Sequence, residues 1–397
     1  MNRDVWLLAL CQALLNTGNV LLVAVNGLIG QQLAPSATLI TLPVACQFIG
    51  LMLATIPASL IMARIGRRKG FVLGNLIGLS GAILCLLALQ EKAFALFCLG
   101  TGLIGVGIGF GMLYRFAAVE VCQPGYESRA ISMVMVGGII AAVLGPNLAV
   151  HSRELEVGAM FSGAFAVLAG LYLCALVLLT RVRIPPMTQS ESGKAARPVM
   201  TIILQPRFLM AVLTGMISYA VMNLLMTATP LAMARCGYSF ASAANVIEWH
   251  VLGMYLPSFF TGHLIRRFGE RALMLAGSIL MLVCIAVNLH GQTEWHFWTA
   301  LFLLGLGWNW MFICATSYLT GAYRPEEKPR AQAANEFLVF GTVTMSALAA
   351  GWMEATLGWA SMNVMMIPVV VVALLALLLL EPLRKQAEAE KTSSVQV

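Results

Sequence analysis

Twelve runs of mostly apolar residues, each long enough to cross a bilayer as a helix, leave this chain few possible folds. They fall near 5–30, 37–63, 71–89, 93–118, 130–150, 157–180, 208–233, 240–265, 272–289, 296–320, 331–353 and 360–380. A spanning helix needs about 20 such residues, and lipid obliges it to satisfy its own backbone polar groups. The expected fold class is therefore an all-α membrane protein with twelve transmembrane helices. Composition agrees: 10% of the residues are charged, against roughly a quarter in soluble domains. The first run, entered at Val5, is about 25 residues long. A signal-peptide core is about 7–15 residues, so this run reads as a retained helix.

The formal charge of +7 could point to nucleic acid, but its distribution points to a membrane. With the N-terminus in the cytoplasm, 20 of the 24 basic residues fall on the cytoplasmic side. Lys92, Arg153 and Arg235 fall outside, and Arg115 lies near the inner end of the fourth run. This asymmetry is the positive-inside pattern, and it sets both termini in the cytoplasm. The nine cysteines are scattered without a CxxC pair, so neither a metal site nor a disulfide framework is suggested and no cofactor is expected. The glycines at 105, 107, 109 and 111 lie inside an apolar run, with no Lys-Ser or Lys-Thr after them. They suit close helix packing rather than nucleotide binding.

Two halves share signals at an offset of about 200. Arg64-Ile-Gly66-Arg67 is matched by Arg267-Phe-Gly269-Glu270, Gly105-Val-Gly107 by Gly305-Leu-Gly307, and the stretch Pro124 to Ala130 by Pro325 to Ala331. Parallel repeats of six spans imply a pseudo-twofold axis along the membrane normal and a site between the halves. The expected domains are a bundle over 1–180, a linker over 181–207, a second bundle over 208–383 and a cytoplasmic tail over 384–397.

On these motifs the chain resembles the major facilitator superfamily along its whole length. The family's loop signature stands as Ser59-Leu-Ile-Met-Ala63-Arg64-Ile-Gly66-Arg67-Arg68 and again from Gly262 to Arg271. Its acidic position holds Ala63 in one half and Arg266 in the other, so the usual charge lock at the inner gate must fall to other groups. Gly145-Pro146 sits where the family's antiporters carry a Gly-Pro in span five, but the flanking glycines are replaced by Ala141 and Ala149. The segment Asn223 to Phe268, with Trp249-His250 and Pro257-Ser-Phe-Phe-Thr-Gly262, is similar to bacterial facilitator-type riboflavin importers. The resemblance implies a secondary transporter of the bacterial inner membrane, working as a monomer on a small-molecule substrate, possible proton coupling included.

Polar residues within the runs are the candidate site. Gln12, Asn16, Asn19 and Asn26 share one face of the first run. Asn16 and Asn19 are read as lining a central cavity, where amides both donate to and accept from a neutral solute; interhelical packing is the alternative. Asn223 and Thr227 share a face of the seventh run, and Pro230 is either a gate hinge or a helix end. Glu248 lies roughly 12 Å deep at 1.5 Å per residue and is the candidate proton-responsive group; a satisfied packing carboxyl is the alternative. His250 is a candidate ligand or a core histidine. Trp308 and Asn309 pair an indole with an amide, which suits a flat aromatic solute; packing or lipid contact competes. Arg64, Arg67, Arg115, Glu120, Arg129, Arg267, Arg330 and Glu336 form a candidate charge network at the inner gate, with simple snorkelling as the alternative.

The function expected is secondary transport of a small organic solute by alternating access, with riboflavin or a similar flat polar heterocycle as cargo and uptake as direction. Proton-coupled efflux of drugs or metabolites is the alternative within the class. A non-transporting membrane sensor is the alternative outside it. No catalytic motif points to an enzyme.

Overall fold

The computed structural model describes residues 3–123, 127–153, 160–184, 198–324 and 327–395, with the backbone alone at 127–129, 131, 132, 199, 328, 329 and from 380 onward. Among these residues every regular element is helical. The first group comprises α1 (Arg3–Leu33), α2 (Leu42–Ile65), α3 (Arg67–Gln90), α4 (Phe94–Gly111), α5 (Tyr114–Val121), α6 (Glu127–Arg153) and α7 (Ser162–Arg181). After the short α8 (Val199–Ile203) come α9 (Pro206–Arg235), α10 (Phe240–Tyr255), α11 (Ser258–Phe268), α12 (Glu270–His290), α13 (Glu294–Leu319) and α14 (Lys328–Val395).

Ten helical stretches among the described residues are long and apolar enough to cross a membrane, where the sequence pattern has twelve runs. The difference lies in two places. The run 240–265 breaks into α10 and α11 at Leu256-Pro257, because Pro257 has no N–H to continue the ladder. The runs 331–353 and 360–380 are continuous in α14, interrupted only at Gly358 with φ 78° and ψ 167°. Pro230, in contrast, lies inside α9, which continues to Arg235; it is not a helix end.

The internal repeat is visible in geometry. Gly66 and Gly269 both adopt a left-handed φ, 87° and 83°, with nearly equal ψ of 152° and 157°. Each ends one helix and starts the next, a conformation that costs glycine little. The arginines that follow do the same task twice. Arg68 donates from Nε and Nη2 to the Leu179 and Thr180 carbonyls, at 3.0 and 2.8 Å. Arg271 donates to the Leu377 and Leu378 carbonyls, at 3.0 and 3.5 Å. At α7 the guanidinium satisfies carbonyls that the helix end leaves unpaired, whereas at α14, which runs on to Val395, it adds a bond to carbonyls within the helix. Glycine also sets close crossings at equivalent places in the two groups. A Cβ on Gly105 would strike the Gln47 carbonyl of α2, and one on Gly305 would strike the His250 carbonyl of α10.

The two groups meet along α1–α9, α6–α10 and α2–α14. Along α6–α10 the contacts run from Phe161–Phe240, with ring centroids 5.3 Å apart, through Asn147–Glu248 to Gly138–Tyr255. Along α2–α14 they run from Thr41–Gly351 through Ala45–Ala347 to Met52–Gly341. All lie between the middle of the molecule and the end remote from the basic clusters. Toward the basic end the flanking surfaces are exposed, as at Leu53, Leu60, Phe259, Phe260 and Phe337. The groups are thus shut at one end and parted at the other.

Gly105→Ala is expected to lower thermal stability in detergent by about 1–3 kcal/mol, the usual cost of overpacking. Gly170→Ala, where an added Cβ meets nothing within 4 Å, is the control and leaves the melting midpoint unchanged or raises it.

Candidate functional site

Where the groups part, α9, α13 and α14 bring four aromatic rings together. Tyr219 stands edge-on to Trp308 (5.1 Å, 89°), to Phe312 (4.9 Å, 87°) and to Phe340 (6.0 Å, 61°). Trp308 and Phe312, one turn apart on α13, stack at 5.0 Å and 13°. The Trp308 indole N–H is buried with no partner. A buried donor left unpaired is uncommon in proteins and calls for an acceptor.

Two charged groups stand beside the rings. The Arg115 guanidinium and the Glu336 carboxyl are within electrostatic reach of each other and of the Tyr219 hydroxyl. The Arg115 Nε is a second buried donor without a partner. Glu336 is one turn before Phe340 on α14, so both share a face. Its distance from the helix start suggests a shallow gate residue, and the helix face it shares with Phe340 also sets it beside the aromatic cluster.

The first group contributes amides. Gln12 donates to the Asn16 carbonyl oxygen at 2.8 Å. Gln47 of α2 bridges two others: it donates to Asn19 at 2.7 Å and accepts from Asn26 at 3.1 Å. Asn16 and Asn19 are half-buried, whereas Asn26 is buried.

Three sequence candidates bond to neighbouring helices, although Asn223 Oδ1 and His250 Nε2 are buried without a partner. Asn309 donates to the Met254 carbonyl and Ser258 Oγ, at 2.6 and 2.7 Å, and accepts from Thr261 at 2.7 Å. It ties α13 to α10 and α11, leaving no N–H for a solute. Asn223 donates to the Val343 carbonyl at 3.3 Å and to Ser346 Oγ at 3.0 Å, which ties α9 to α14. His250 is fully buried, with Nδ1 2.7 Å from the Leu301 carbonyl. Glu248 lies elsewhere: it accepts from Asn147 of α6 at 3.0 Å across the two groups.

Among the described residues, two pairings involve the gate candidates. Arg67 pairs with Glu120 through two hydrogen bonds, 2.6 and 2.5 Å, wholly within the first group. Its counterpart in the second group is Glu270 accepting from Ser317 at 2.5 Å. Arg64, Arg267 and Arg330 are exposed, and Arg267 lies over the Phe268 ring. The side chain of Arg129 lies outside the described residues. Arg115 of the first group and Glu336 of the second are within electrostatic reach of each other.

Sequence reasoning missed Gln47, Tyr219, Phe312 and Phe340. The signal existed for three of them: each aromatic is one helical turn from a residue already singled out, Asn223, Trp308 and Glu336 respectively. At the end remote from the basic clusters lies a separate cavity of about 330 Å³ bordered by Arg153, Phe161, Tyr238 and Phe240. There the Arg153 guanidinium lies 5.7 Å from both the Phe161 and Phe240 rings, a cation–π contact that bridges the groups.

Comparison with known proteins agrees with this architecture. The chain is 39% identical over 390 residues to the riboflavin transporter RfnT of Brucella anthropi, covering 98% of each. Its fold is similar to the human organic anion transporter MFSD10, with a TM-score of 0.69 at 14% identity, covering 94% of this chain and 99% of that one. It is also similar to the E. coli fucose:proton symporter FucP, with a TM-score of 0.62 at 15% identity, covering 95% and 98%. The Major Facilitator Superfamily model matches residues 6–249 and 216–396, so the chain is a multi-pass membrane transporter that belongs to that superfamily.

Proposed function

We propose that this transporter takes up riboflavin, or a closely similar planar heterocycle, across the bacterial inner membrane by alternating access. The observation that carries the reading is the cluster of Tyr219, Trp308, Phe312 and Phe340, with two unpaired donors, Trp308 Nε1 and Arg115 Nε, at its edge. Flat conjugated rings gain from stacked or edge-on aromatic neighbours, and a heterocycle's carbonyls can accept from the free donors. The relationship to the Brucella anthropi riboflavin transporter narrows the planar solute to a flavin.

The finer architecture belongs to the same proposal. The twelve runs make two six-span bundles, 1–180 and 208–383, joined by the linker 181–207 and followed by the tail 384–397. The tenfold tally of long helices fits this, since α10 with α11 makes one broken span and α14 makes two across Gly358. With the basic clusters in the cytoplasm, both termini are cytoplasmic and the parted end faces inward. Each bundle supplies most of one apolar core, with a few residues of the other bundle joining it, which suits rocking about a site between them. The working unit is a monomer. Asn16 and Asn19 line the first-bundle side of the path.

Labelled riboflavin supplied to vesicles carrying the protein is expected to accumulate. Trp308→Ala and Tyr219→Ala should each raise the half-saturation concentration roughly two- to tenfold, the factor implied by about 0.5–1.5 kcal/mol of lost aromatic contact. No flux under any gradient, or full affinity in both variants, would sink the reading.

Protons are the coupling ion in this proposal, and Glu248 is the group that answers them. It joins α10 to α6 through Asn147, so its charge state acts where the bundles touch. Uptake by the native chain should change with an imposed pH gradient. Glu248→Gln should retain uptake and lose that response; an unaltered response would remove Glu248 from the coupling.

A further inference from the structure

We infer that Arg115 and Glu336 act as a charge-neutral pair that selects uncharged planar solutes over their phosphorylated, anionic counterparts. The inference rests on the flavin reading and deepens it.

The placement is set by helix faces. On α14, Glu336, Val339, Phe340 and Val343 fall within about 100° of one another at 100° per residue. Val339, Phe340 and Val343 are buried in the hydrophobic cluster built mainly by the first group, with Leu15, Phe110 and Tyr114. The face that carries Glu336 is therefore turned toward the first group. Arg115 follows Tyr114 at the start of α5, and its Nε is buried there without a partner. Tyr219 joins the two charges to the rings, since it touches Trp308, Phe312 and Phe340 and lies in the electrostatic reach of both Arg115 and Glu336.

A lone guanidinium in water-poor surroundings attracts anions, because charge-assisted hydrogen bonds to phosphate are strong and weakly screened there. Here the carboxyl of Glu336 cancels that field. A phosphate ester carries about −1.5 to −2 charges at neutral pH. Entering this site, it would lose hydration and gain no net attraction. An uncharged heterocycle loses far less, and its carbonyl oxygens can still accept from the Arg115 Nε. The pair thus keeps a strong donor while presenting no net charge. A neutral vitamin is admitted, and its phosphorylated form, a charged product of a kinase-class reaction, is turned away.

Flavin fluorescence quenching with the purified full chain tests this, using riboflavin and riboflavin 5′-phosphate as probes. The native chain should bind the phosphate ester at least about tenfold more weakly. Glu336→Gln leaves Arg115 uncompensated, and the affinity ratio should move toward the phosphate ester by about tenfold or more. The double variant Arg115→Gln/Glu336→Gln, neutral again, should return the ratio to within about threefold of the native value. Should the single variant fail to fold, the double variant keeps the test. A native-like ratio supports the inference, and a preference for the phosphate ester overturns it. Equal affinities in the native chain, or an unmoved ratio in a Glu336→Gln protein that still binds riboflavin, would overturn the charge pair alone. A native chain that binds neither flavin overturns the flavin reading and this inference with it.

Discussion

A backbone amide in lipid has only its own helix to bond with, and the rest of this molecule follows from that requirement. It makes every spanning element helical and leaves side chains to decide how the helices meet. Without water to drive apolar faces together, close approach and buried polar contacts take over. Gly105 and Gly305 let backbones nearly touch. Asn309, Asn223 and Gln47 then tie neighbouring helices through amides. Arginine adds bonds to main-chain carbonyls at matching places, Arg68 where α7 ends and Arg271 within α14.

The helical fold and its repeat were legible in the sequence because both have a period. Apolar runs announce spans, and an offset of about 200 brings together glycines that share a backbone conformation, Gly66 with Gly269. Length alone says nothing of two features. Leu256-Pro257 divides an apolar run without dividing its hydropathy, and Gly358 bends two runs that remain helical on either side. Both are local backbone events, and hydropathy does not register them.

The site was less legible, since a polar residue in lipid looks the same whether it binds a helix or a solute. Asn309 and Trp308 are adjacent in sequence, yet a rotation of about 100° commits one to Met254, Ser258 and Thr261 and turns the other into the aromatic cluster. His250 was ambiguous for the same reason, and its bond to the Leu301 carbonyl is a packing contact. Tyr219 and Phe340 carry no signal in isolation. They become readable only as the helical neighbours, one turn away, of Asn223 and Glu336.

The duplicated arginine ties have a mechanical consequence. Each fastens the start of α3 or α12 to carbonyls near the end of α7 or of the membrane-crossing part of α14. Each group of helices is in effect a hoop with its ends buckled, stiff against internal sliding. The seam between the hoops has a different texture. Between larger contacts such as Phe161–Phe240 and Asn147–Glu248, long stretches of it are short side chains and bare backbone, such as Ala45 against Ala347, Gly138 under Tyr255 and Gly27 near Thr227. Short side chains interlock little, so separating them breaks few contacts per unit area. Compliance is thereby concentrated in the seam, and the molecule is built to hinge along one line while each hoop keeps its shape.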